Sequence, residues 1–139
     1  MQKRAFVTRR ETFNAGHRLF RPEWSEEENY RVFGKCSNPS GHGHNYAIEV
    51  TFEGPLDPIT GYVLDLRAVC DVVHKRIIDE VDHRNLNTDV EWLVGQVPTT
   101  EALANAFWER LETDFPENLL FCVRVYETEK NWAERRRNP

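Results

Sequence analysis

The stretch "HGHNYAIEVTF", residues 42–52, decides how this chain reads. Tyr46, Ile48, Val50 and Phe52 alternate with Asn45, Ala47, Glu49 and Thr51. Period two over this length predicts a β-strand with one buried face. His42 and His44 belong to the same face as the apolar row, so a row that builds a core ends in two imidazoles pointing one way. Gly43 leaves the backbone between them uncluttered.

Working outward, residues 5–17 alternate loosely, with Phe13, Ala15 and His17 on one face, and predict an earlier strand. If the two strands are neighbours, three imidazoles converge. Three histidines around Zn²⁺ with a vacant fourth position is the arrangement used where a metal polarises a substrate or activates water. Cys36 lies just upstream of His42. It is either the fourth ligand of a closed structural site or a free thiolate acting as base or nucleophile, and spacing leaves both open.

The polar, punctuated stretch 20–41, with "RPEWSEEENY" and "SNPSG", reads as a long loop with room for a helical turn, and "GPLDPITG" at 54–61 as a turn. Val69, Val73, Ile77 and Val81 recur every fourth residue and predict an amphipathic helix over 66–81. A second helix starts at "PTTE", where Thr99 or Thr100 can cap and Glu101 suits the first turn. Its stripe is Leu103, Phe107 and Leu111. Residues 119–128 return to period two with Leu119, Phe121, Val123, Val125 and Glu127 on one side, and a short strand is expected around 131–135. The order ββααββ predicts an α+β sheet with the helices on one face.

The 139 residues are 40% hydrophobic and 29% charged, which fits one folded domain over 1–139. A net charge of −5 with scattered basic residues argues against nucleic acid as a partner. No apolar run approaches the roughly 20 residues of a membrane helix, and no signal-peptide pattern is seen, so the expected location is cytoplasmic. Three widely spaced cysteines read as free thiols, with Cys70 and Cys122 as buried fillers. Asp82 and His83 are adjacent just after the first long helix, and a carboxylate beside an imidazole can orient it and keep it basic. Glu127 extends a buried row, so its carboxylate needs donors, and a substrate's N–H groups would serve.

Taken together, "FNAGH", "VFGKCSNPSGHGHNY", "VDHRNLN", "PTTE" and "VYET" resemble, in this order, the 6-pyruvoyl-tetrahydropterin synthases, a likeness running from about residue 5 to 130. The resemblance implies a tunnelling fold with a four-stranded antiparallel sheet and two helices on one side. It also implies a homohexamer built as a dimer of trimers. It makes His17, His42 and His44 the ligands of Zn²⁺, Cys36 the general base, and Asp82 and His83 the pair that activates it. Glu127 becomes the anchor of the pterin ring, with Thr99 and Thr100 lining the same pocket. The implied reaction is a lyase step on 7,8-dihydroneopterin triphosphate, giving 6-pyruvoyl-tetrahydropterin with loss of triphosphate. Arg18, Arg31 and Lys35 are the cations available for that triphosphate.

Two other readings stand beside this one. The related 6-carboxy-tetrahydropterin synthases of queuosine biosynthesis cleave the side chain of the same substrate. The spacing "CSNPSGHGH" resembles the pyruvoyl-forming branch, whereas Asp65 in "GYVLDL" resembles the carboxy branch. A non-catalytic zinc-stabilised domain is the remaining alternative. The chain departs from the family pattern at its end, where "NWAERRRNP" replaces an apolar strand.

Overall fold

The computed structural model describes residues 2–138. Strands β1 (Arg4–His17) and β2 (His42–Pro55) pair antiparallel along their whole length, from Arg4 opposite Pro55 to His17 opposite His42. β4 (Leu120–Tyr126) lies on the other side of β2, and β5 (Trp132–Arg136) pairs with β4, both antiparallel. A two-residue strand β3 (Arg84–Asn85) adds parallel to β1 beside Ala15 and Gly16, giving the order β3-β1-β2-β4-β5. The expected four-stranded antiparallel sheet is therefore present and carries a short parallel fifth strand. Two residues hold no periodicity, which is why β3 is silent in the sequence.

The first long helix begins at α2 (Leu66–Val73), runs through a π turn at His74–Ile78 and ends in α3 (Asp79–Val81). The second, α4 (Thr100–Leu111), is capped by Thr99, whose hydroxyl accepts the Ala102 amide at 3.1 Å. Val69, Val73, Ile77, Val81, Leu103, Phe107 and Leu111 are all fully buried. They pack on the inward row of the sheet, which includes Phe13, Tyr46, Ile48, Val50, Phe52, Val123 and Val125. Burying each such side chain contributes about 1.5–3 kcal/mol against leaving it in water.

Three details differ from the sequence reading. Residues 20–41 hold more than a helical turn. Ser25 caps a helix α1 (Glu26–Phe33), with three glutamates in its first turn to suit the helix dipole. This segment organises around Asn29, whose buried amide meets the carbonyls of Arg21, Trp24 and Ser25. A polar centre leaves no apolar stripe to read. Phe121, expected inward, faces the opposite way. The register shifts between Thr51 and Phe52, Leu120 takes the place opposite Phe52, and Phe121 meets Phe6 edge-on at 4.9 Å on the open face. Cys122 is buried as expected, but Cys70 is half-buried and donates to Glu11 Oε1 at 3.2 Å, so it is not an apolar filler.

The charged end of the chain does form β5. Glu134 accepts from Arg124 across the strands at 2.7 Å and pairs with Arg136 along its own strand, so charge pairs stand in for apolar packing on this edge. No helix among the described residues is long and apolar enough to cross a membrane.

Candidate metal centre and active site

The full-length pairing of β1 and β2 places His17 opposite His42, and the pleat puts His44 two residues along on the same face. Gly41, at φ 71°, makes the entry to β2 so tight that an added Cβ would stand 3.1 Å from the His17 carbonyl oxygen. Ligand atoms of His17, His42 and His44 consequently lie within 4.8 Å of one another. His17 Nε2 is 3.1 Å from His42 Nε2.

The tautomer of His17 follows from its other nitrogen. Nδ1 lies 2.8 Å from the Pro98 carbonyl oxygen, which can only accept, so Nδ1 carries the proton and Nε2 offers a lone pair to the cluster. Burial holds the His17 imidazole below the usual histidine range, aided by His42 and His44, while the Pro98 contact and Glu127 pull the other way. His44 is likewise lowered by burial, opposed by Glu127 and aided by His42. Both rings are thus kept in the neutral form that a metal requires.

His44 Nε2 supplies the test of fit. It is buried and has no hydrogen-bond partner among the described residues. Glu127 Oε1 is 3.6 Å away, too long for a hydrogen bond. An unpartnered buried polar atom costs about 1–3 kcal/mol, and a divalent cation among three ring nitrogens would satisfy it. The residues present fit Zn²⁺.

Glu127 stands just beyond β4 at the edge of this cluster, with Oε2 4.0 Å from His17 Nε2. Thr100 donates its hydroxyl to the same oxygen at 3.1 Å. Of the two threonines, only Thr100 therefore reaches Glu127, while the Thr99 hydroxyl caps α4.

Cys36 sits on a 3₁₀ turn (Gly34–Ser37) whose place is set by the Leu19 amide, which donates to the Cys36 carbonyl at 2.9 Å. The thiol is thereby tied to the histidine end of β1. Its sulfur is not among the converging ligand atoms, so the closed four-ligand site is not formed.

Asp82 and His83 lie elsewhere. Asp82 Oδ1 accepts the Asn14 amide at 2.9 Å and stands 3.0 Å from His83 Nδ1. The Asn14 hydrogen bond, outweighing partial burial, holds the Asp82 carboxyl below its usual range. His83 adopts φ 60°, left-handed for a non-glycine residue, pinned by its amide to the Asn14 carbonyl at 2.5 Å. Its ring is 80% exposed, above a crevice lined by Thr12, Asn14, Asn45 and Ala47 on the open face. The histidine cluster occupies the helix-covered face. Among the described residues, neither Asp82 nor His83 makes a side-chain hydrogen bond or ion pair with Cys36.

The chain matches the family model described as 6-pyruvoyl tetrahydropterin synthase over residues 6–138. It belongs to that family. It is 48% identical over 129 residues to the 6-pyruvoyl tetrahydrobiopterin synthase of Drosophila melanogaster, covering 91% of this chain and 76% of that one. It is 44% identical over 127 residues to the enzyme of the same name from Homo sapiens, covering 91% and 88%. The solved structure of Caenorhabditis elegans 6-pyruvoyl tetrahydropterin synthase superposes with a TM-score of 0.92 at 36% identity, covering 99% and 98%. The α+β fold is the tunnelling fold of this family.

Two residues inside those motifs, Tyr46 and Pro98, take supporting places that the sequence reading does not assign them. Tyr46 brings its hydroxyl 3.3 Å from His17 Nδ1, and burial pushes its phenol well above the ordinary range. Its signal was in plain view, two residues after His44 in the inward row. Pro98 had none, because its contact with His17 spans 81 positions. Among the cations, Arg31 is engaged with Glu28 on α1, whereas Arg18 and Lys35 line a cavity of about 610 Å³ together with Glu26 and Glu27.

Proposed function

We propose that this chain is a zinc-dependent carbon–oxygen lyase acting on a phosphate ester, converting 7,8-dihydroneopterin triphosphate to 6-pyruvoyl-tetrahydropterin. The observation that carries the reading is the cluster of His17, His42 and His44, with a buried unpartnered nitrogen and a carboxylate at its edge. Zn²⁺ bound there supplies a Lewis acid for the oxygen substituents of the substrate's side chain.

The remaining chemistry belongs to the chain's own side chains. Glu127, steadied by Thr100, accepts two parallel hydrogen bonds from the pterin's amino group and adjacent ring N–H, which fixes the ring's orientation. Cys36, as thiolate, takes a proton from a side-chain carbon and returns it. His83 relays protons to and from that thiol, and Asp82 keeps the ring aimed with Nδ1 as donor. Hydrogen is redistributed within the substrate: the ring is reduced as the side chain is oxidised, and triphosphate leaves. No redox cofactor enters the balance.

Because Asp82 and His83 open on the face away from the histidines, Cys36 of one subunit works with His83 of a neighbour. The reading includes a homohexamer, built as a dimer of trimers, and a cytoplasmic location. For the carboxy-forming alternative, Asp65 offers a branch resemblance and no site contact: it is the N-cap of α2 and accepts the Arg67 amide at 2.9 Å. Its side chain has a structural task.

The test is turnover of 7,8-dihydroneopterin triphosphate by chelator-treated, zinc-restored and Cys36→Ala protein. Zinc-restored protein is expected to release triphosphate. The metal-free and Cys36→Ala forms should be slower, the latter by about 10²–10⁴-fold. Equal rates in all three would refute the proposal.

A further inference from the structure

Among the described residues, a second set of ligating side chains gathers away from the histidine cluster. It consists of Glu11, Cys70 and His74. Glu11 stands six residues before His17 in the inward row of β1, about 20 Å along the strand. Cys70 and His74 are four apart and present one side of α2 and its π turn to that strand. Glu11 Oε1 is 3.2 Å from Cys70 Sγ, and Oε2 is 3.2 Å from His74 Nε2. Neighbouring donors around a tetrahedral zinc stand about 3.3–3.8 Å apart, as its bond lengths require. The three ligand atoms lie within 4.8 Å of one another, so closing on a metal requires a side-chain shift on the order of 1 Å.

Two further observations point to a cation. Glu11 carries a carboxylate into the inward row of β1 immediately before the buried Phe13, with only 14% of its side chain exposed. It is balanced by Arg9, whose Nε donates to Glu11 Oε1 at 2.8 Å and whose Nη2 lies 3.3 Å from Cys70 Sγ. A guanidinium thus already occupies the place of a positive charge against two of the three donors. Its side chain is 39% exposed and can leave for solvent. The π turn begins at His74 itself, and such turns gather at functional sites.

We infer that Glu11, Cys70 and His74 form a second metal site, suited to a borderline divalent ion such as Zn²⁺ or Co²⁺, with Arg9 as the competing internal cation. On binding, the Cys70 thiol releases its proton to solvent. Thiolate and carboxylate then neutralise the dication, and the neutral imidazole completes three protein ligands with one position open. The open position and half-buried setting make this a site that exchanges metal with solvent.

The test is a Co²⁺ titration of the metal-free full chain, followed by the near-ultraviolet thiolate-to-cobalt charge-transfer band. About two equivalents should bind, one per three-ligand group. The band should persist in Cys36→Ser and His44→Ala and vanish in Cys70→Ser. His74→Ala, a variant that spares the thiol, should lose the same equivalent. Arg9→Met should tighten the site by about tenfold or more, the scale of one nearby like charge removed. A single equivalent without a thiolate band would overturn the inference. So would a band lost in Cys36→Ser and retained in Cys70→Ser. Because the band is read in His44→Ala as well, this site stands or falls separately from the histidine cluster.

Discussion

At the scale of single residues, the account turns on His44 Nε2, a buried nitrogen left without a partner. Replacing His44 with alanine should weaken zinc binding by more than the ~10–100-fold that loss of an outer-shell partner costs, as measured by competition with a chromogenic chelator. The lowered His17 and His44 pKa values also set a pH dependence. Above about pH 6.5 both the folded and unfolded states hold these rings neutral, and stability is unaffected. Below it the unfolded chain takes up protons that the folded chain refuses, so the metal-free protein loses stability as pH falls. Thermal melts of metal-free protein from pH 8 to 5 should show the decline beginning near 6.5, and a flat profile would contradict it. At this scale the sequence is informative about which imidazoles converge, since HxH on a strand and His17 on an inward row need only the pleat. It could not show Pro98 as a support, because that contact depends on how the segment before α4 docks, and Thr100 beside Glu127 came only from the family resemblance.

At the scale of elements, legibility followed hydrophobic period. β1, β2 and the two long helices bury one apolar face each and were all readable. α1 runs longer than the helical turn its segment suggests, since its buried residue is an asparagine and sets no apolar period, and Phe121 turns outward because a bulge cannot be seen in an alternating pattern. β5 persists on ion pairs rather than burial. Asp65→Ala should cost about 1 kcal/mol by removing the N-cap of α2, seen in denaturant unfolding. Its pterin product should be unchanged. Phe107→Ala should cost about 3–5 kcal/mol, because this fully buried ring meets both Phe13 and Trp92 edge-on.

At the scale of the whole molecule, the outer edge of β5 is unpaired, and β1 is covered by β3 only beside Ala15 and Gly16. Such edges invite pairing with other copies. A site shared between copies makes a specific prediction: Cys36→Ala and His83→Ala proteins, each inactive alone, should regain activity after subunit exchange. The random-mixing limit is about a quarter of the wild-type rate. No recovery would place both residues in one chain's site. Sequence motifs name these residues together but carry no information on which copy supplies each, and the structure adds that Asp82 and His83 open on the face away from the histidine cluster.

The central claim is the product. Mass spectrometry of the pterin formed when zinc-loaded protein meets 7,8-dihydroneopterin triphosphate tests it most directly. The account predicts a product that keeps all three side-chain carbons, with triphosphate released. A product shortened by two carbons, with acetaldehyde appearing alongside, would contradict it.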